Sequence, residues 1–117
     1  MNKIWFFFII CSCYLFAQSM SVAVIAPSIS TSMKAREIRM SKGWSEVNYK
    51  NSDAILVVCR SGLYLPLSSS YDSVKELEDD ANNQLNISGS NYHVYLFKLN
   101  DNLSVTEVNH TNFPAND

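Results

Sequence analysis

Cysteine is scarce in this 117-residue chain: of Cys11, Cys13 and Cys59, the first two fall in an apolar N-terminal run. If that run is removed, Cys59 is left alone and no internal disulfide can form, so packing must hold the domain. Charge is thin as well, 17% of residues against about 25% in average domains. Its formal balance is −2, which gives no electrostatic footprint for nucleic acid. The three glycines, Gly43, Gly62 and Gly89, are scattered, and that excludes a glycine-rich phosphate loop. Only two histidines are present, His93 and His110, without the spacing of a zinc motif, and no Asp-x-Asp-x-Asp-Gly run exists to hold calcium. No serine sits in a nucleophile elbow with His and Asp partners. No catalytic residue, metal site or cofactor is therefore expected.

What the N-terminus does have is Lys3 followed by Ile4 to Phe16 without a charge, then Ala17-Gln18-Ser19. A positive start, an apolar run and small residues separated by one position form a secretory signal, with Ser19 the last residue removed. Leu15 to Ala17 and Ser21 to Ala23 offer other cleavage registers. A rival reading keeps residues 4–26 as an uncleaved anchor, because Val22 to Pro27 extends the apolar run toward the roughly 20 residues a span needs. Against it, Gln18, Ser19 and Ser21 interrupt the run. The basic cluster Lys34, Arg36, Arg39 and Lys42 would also have to cross the membrane, against the positive-inside bias. A third reading makes Cys13 a lipid-modified residue after Ile10-Cys11-Ser12; this resembles a bacterial lipoprotein box, although the leader is very short and Tyr14-Leu15-Phe16 behind it is apolar. Removing residues 1–19 leaves 98, enough for one domain with one core, and takes the net charge to −3.

Along the rest of the chain, residues 20–32 are uncharged and serine-rich and read as a leader, with a short strand at Ser21 to Ile25. Met33 to Met40 favours helix, with Ser32 as its N-cap and Gly43 as its stop. Asp53 to Cys59 is apolar on both faces and predicts a central strand. After the turn at Arg60-Ser61-Gly62, the alternation of Leu63, Leu65 and Leu67 predicts a hairpin partner, held to an edge by Pro66. Ser73 with Glu76 is a capping-box signature, and Val74, Leu77, Ala81 and Leu85 predict an amphipathic helix of about four turns ending near Asn86. Tyr92 to Leu99 reads as a second central strand, Asn100-Asp101-Asn102 as a turn, Leu103 to Thr106 as a half-buried strand, and residues 109–117 as a loose polar tail. The order β-β-α-β-β over a domain at 33–108 predicts a small two-layer α+β fold, its antiparallel or mixed sheet covered on one face by one main helix.

Two charged segments are the candidate interaction surface. Lys34, Arg36, Arg39 and Lys42 alternate with Met33, Ile38, Met40 and Trp44, a mixture that suits an anionic membrane surface or an acidic protein; the plainer reading is a solvated helix with a core-facing stripe. Glu76, Glu78, Asp79 and Asp80 gather in the first turns of the second helix, where the helix dipole favours them, and are expected to face water. Cys59 with His93 or His110 is the only thiol and imidazole combination, and no local signature makes it a catalytic pair. Three sequons, beginning at Asn86, Asn102 and Asn109, are what an Asn-rich and Ser-rich chain contains by chance.

These features point to a small exported, non-catalytic binding module, periplasmic or extracellular, whose partner is another protein or an envelope component. Membrane contact would come only through an uncleaved N-terminus or the basic segment 34–42. A membrane-tethered accessory protein is the alternative from another class, and a small secreted hydrolase is the weakest, since no catalytic motif supports it.

Overall fold

The computed structural model describes residues 20–61, 67–83 and 91–114. Strand β1 (Ser21–Ile25) is followed by helix α1 (Ile29–Lys42), the two-residue strand β2 (Ser45–Glu46), a 3-10 turn at Tyr49–Asn51, and strand β3 (Ala54–Ser61). Strand β4 (Ser70–Tyr71), helix α2 (Val74–Asn82) and strands β5 (Asn91–Leu99) and β6 (Val105–Pro114) follow among the described residues. One six-stranded mixed sheet runs in the order β2-β1-β3-β5-β6-β4, with β1 parallel to both β2 and β3 and the remaining pairs antiparallel. The described residues form a small α+β domain with two helices.

The residues of β3 explain its central place. Ile55, Val57 and Cys59 point to one face, where they pack with Tyr95, Phe97, Leu77 and Ala81. Ala54, Leu56 and Val58 point to the other, where they pack with Val22, Ala35, Trp44 and Val94. A strand apolar on both faces needs cover on both, and it has it: α2 lies on the first face and α1 on the second. The expected two layers with a single covering helix are thus corrected to a sheet between two helices. The reason is that α1, whose apolar pattern is weak, buries only Thr31 and Ala35 fully, yet still closes the second face by way of Ile38 and Trp44.

Several element ends differ from expectation. The N-cap of α1 is Ser28, not Ser32: Ser28 Oγ accepts the Thr31 N–H at 3.2 Å while Thr31 Oγ1 accepts the Ser28 N–H at 2.9 Å. Thr in place of the usual Glu or Gln hid this reciprocal box. Gly43 does stop the helix, in the left-handed conformation at φ 75° that glycine takes without a Cβ penalty. Ser73 caps α2 by accepting the Glu76 N–H at 3.2 Å, whereas the Glu76 carboxylate reaches back to the Asp72 N–H, at 3.1 Å, one residue beyond the box position. The helix ends at Asn82; Leu85 lies outside the described residues.

The segment expected as a leader supplies β1, hydrogen-bonded to β2 on one side and to β3 over Val22–Ile25 on the other, with Met20 buried before it. Since β3 is flanked by β1 and β5, its neighbours differ from the expected hairpin, whose second strand at 63–66 lies outside the described residues; Leu67 is buried but in no strand. Strand β6 runs to Pro114, paired with β5 as far as Asn91, where a short strand and a loose tail from Asn109 were expected. The signal at 1–19 also lies outside the described residues.

Candidate functional site

Helix α1 and the β5–β6 end of the sheet diverge enough to leave a groove of about 330 Å³, whose apolar walls include Ile38, Trp44, Leu96 and Phe113. Asn109 and Thr111 from β6 and Lys42 from α1 bring polar groups to it. Spacing on α1 sets its border: Lys34, Ile38 and Lys42 follow one another at i, i+4 and i+8 and share the helix side turned toward β5 and β6. The Lys34 ammonium lies 5.0 Å from the Phe113 ring and 5.7 Å from that of Tyr92. The Lys42 ammonium lies 6.0 Å from the Trp44 ring. Both are within cation–π range of aromatic faces, so the mostly apolar groove has Lys42 in its lining and Lys34 at its border, over Phe113.

The candidate interaction residues therefore separate. Lys34, Lys42 and Trp44 come together at the groove. Arg39 turns the other way, donating to the Trp44 carbonyl oxygen at 3.0 Å and approaching Glu46 to 3.9 Å; this ties the end of α1 to β2. Arg36 lines a smaller depression with Met33 and Glu46. Met33 and Met40, with Ile29, stand exposed on the outer side of α1, while Trp44 is buried, so the apolar complement of the basic segment is divided between water and core. Glu76, Asp79 and Asp80 belong to α2 on the opposite face of the sheet and share no surface with the lysines. Glu76, Glu78 and Asp79 are exposed as expected, but Asp80 is half-buried and its carboxylate accepts a hydrogen bond from the Tyr71 hydroxyl at 2.6 Å. The groove itself escaped sequence reasoning because β6 continues past Thr106; the alternation of Asn109, Thr111 and Phe113 was the signal available.

On the α2 face, the register of β3 against β5 sets Cys59 opposite His93, and the register of β5 against β6 sets His110 opposite Tyr95. Cys59, the only thiol among the described residues, and both imidazoles thus share one face. The thiol is 1% exposed and pushed up to about 12, first by burial and then by the Asp80 carboxylate, so it stays protonated at neutral pH and is a poor nucleophile. Burial and the bond to Asp80 likewise push the Tyr71 phenol up to about 12. Tyr71 and Tyr95 hydroxyls also accept the Ser68 and Leu67 N–H groups, at 2.8 and 3.3 Å, and so fasten the chain entering β4.

Among the described residues no helix is long and apolar enough to cross a membrane. Residues 21–25, counted with the anchor in the tethered reading, are a sheet strand instead. No protein family, curated protein or solved structure matches this chain.

Proposed function

We propose that the protein is an exported, non-catalytic binding module that holds a partner protein in the groove between α1 and the β5–β6 end of the sheet. The observation that carries this reading is the joining of an apolar groove of about 330 Å³ with Lys42 in its lining and Lys34 beside its Phe113 wall. Such a site complements an apolar segment flanked by carboxylates, since the walls desolvate the segment and the ammonium groups meet the acidic residues. An acidic protein segment matches both properties at once; a bare lipid surface would leave a concave site unfilled.

Export rests on the positive start, apolar run and small residues of positions 1–19. Cleavage after Ser19 leaves β1 whole, with Met20 in the core, whereas cleavage after Ala23 would remove three of the five residues of β1. N-terminal sequencing of the exported protein is expected to begin near Met20, and an intact mass that still includes residues 1–19 sinks this part of the proposal.

The binding reading is tested by photo-crosslinking in the native envelope. A crosslinker at Thr111, exposed beside the groove, is expected to capture one protein, and Lys42→Glu should abolish the capture by reversing the charge at the rim. The same probe at Glu78, on the opposite face, should capture nothing comparable. Equal labelling from both positions, or capture indifferent to Lys42→Glu, removes the groove as the binding site.

A further inference from the structure

Across the sheet from the groove, His93 and His110 form a pair that the proposed binding function does not use. His93 Nδ1 and His110 Nε2 are 3.4 Å apart, with ring centroids separated by 5.7 Å. The two residues are diagonal neighbours on antiparallel strands, because His93 pairs with Asn112 and His110 with Tyr95. We infer that these two nitrogens are a bidentate site for a divalent zinc ion, open to water at its remaining positions.

The separation is the first reason. Two nitrogens each about 2.0–2.1 Å from a tetrahedral zinc stand about 3.3–3.4 Å apart. A square-planar ion would need them near about 2.9 Å. The pair has the tetrahedral bite before any metal arrives.

Rigidity is the second. The His110 ring stacks on that of Tyr95 with centroids 4.2 Å apart and an angle of 15° between the planes. Tyr95 is itself buried, with its hydroxyl held by the Leu67 N–H. His93, the third residue of β5, is paired in register with β3 on one side and β6 on the other. His110 is paired with β5 alone, so its ring is held chiefly by the stack on Tyr95, which limits the side-chain freedom lost on binding.

Among the described residues no third His, Cys, Asp or Glu completes a cluster with the pair. Cys59, opposite His93 on β3, is buried, and it stays outside the proposed coordination shell.

The two facing nitrogens are within hydrogen-bond distance of each other. Binding requires both of them as lone-pair donors, so each bound ring carries its N–H on the other nitrogen. The two rings must then report the metal together.

The test is a titration of the purified native protein with zinc chloride, followed by the imidazole C–H resonances in NMR. Both rings are expected to shift in parallel and to saturate at one equivalent. His93→Ala and His110→Ala should each weaken binding by at least about tenfold, the lower end of what loss of even an outer-shell partner costs a metal site. Cys59→Ala should leave the affinity unchanged, and circular dichroism should confirm that each variant keeps its sheet. Loss or strong weakening of the zinc-induced shift of the one remaining imidazole in each histidine variant supports the site. Binding by the wild type no tighter than by the double variant, a shift of one ring alone, or loss of affinity in Cys59→Ala overturns it. None of these outcomes depends on the groove or its partner.

Discussion

Cys59 shows how burial decides the chemistry of one side chain. Its neighbours Ile55, Val57 and Val58 are apolar enough to predict a core position, and 1% exposure agrees; the nearby Asp80 charge was invisible in sequence because 21 residues separate the two. Thiol reagents should therefore label the native protein far more slowly than the unfolded one. Burial also makes stability pH-dependent. The thiol's ordinary value of 9.0 rises to about 12 in the fold, so above pH 9 the unfolded chain releases a proton that the folded chain retains. Stability is fully present below that pH and falls as pH rises toward 12, by about 1.4 kcal/mol per unit for one group. Tyr71 adds the same sign above its ordinary value of 10.0. Urea midpoints at about pH 8 and about pH 10 should differ less in Cys59→Ala than in the wild type, because that variant no longer loses the thiol contribution.

At the scale of elements, α2 follows its sequence and α1 does not. The spacing of Val74, Leu77 and Ala81 predicted the packed stripe, and Leu77 and Ala81 are fully buried with Val74 against them. Leu77→Ala should cost about 2–5 kcal/mol in a denaturation experiment, whereas Asp79→Ala, which loses only an exposed ion pair with Lys75 at 3.3 Å, should stay within about 0.5 kcal/mol. Equal effects would mean that α2 is not packed on the sheet. The β5–β6 turn holds a different lesson. The Leu103 N–H donates to the Asn100 carbonyl oxygen at 2.9 Å and the Asn100 N–H to that of Ser104 at 2.8 Å, closing a three-residue loop. Such loops place their last residue in the left-handed region, and here that residue is Leu103, at φ 69°. The strand pattern had taken Leu103 into β6; loop geometry took it out. Because Leu103 is exposed and a left-handed L-residue costs about 1–2 kcal/mol, Leu103→Gly should raise the thermal midpoint, and an unchanged or lower midpoint would count against strain in this turn.

At the scale of the whole molecule, the first and last segments of the described residues both enter the sheet. Val22 and Ile25 are buried, and Phe113 lies under Lys34 at the groove. Ending the chain after Val108 would remove the partners of Asn91 to Leu96 and strip one wall from the groove. We expect that truncated protein to lose cooperative unfolding; a sharp transition near the original midpoint would mean that β6 beyond the bulge is dispensable. Strand polarity hides the C-terminal strand in the sequence: Asn109, Thr111 and Asn112 are exposed, and an edge-side strand with so many solvated positions carries almost no hydrophobic period.

What the sequence alone determined is local and periodic. It set β3 and β5 as strands apolar on both faces, Ser73 and Gly43 as helix boundaries, and the packed stripe of α2, since each depends on residues within a few positions of one another. Tertiary structure decided the rest: that β1 inserts beside β3, that α1 closes the second face with so few buried side chains, that Lys34 and Lys42 frame a groove while Arg39 braces β2, and that Cys59, His93 and His110 share one face. Each of these is fixed by strand register and sheet order, which join residues tens of positions apart and leave no period in the chain.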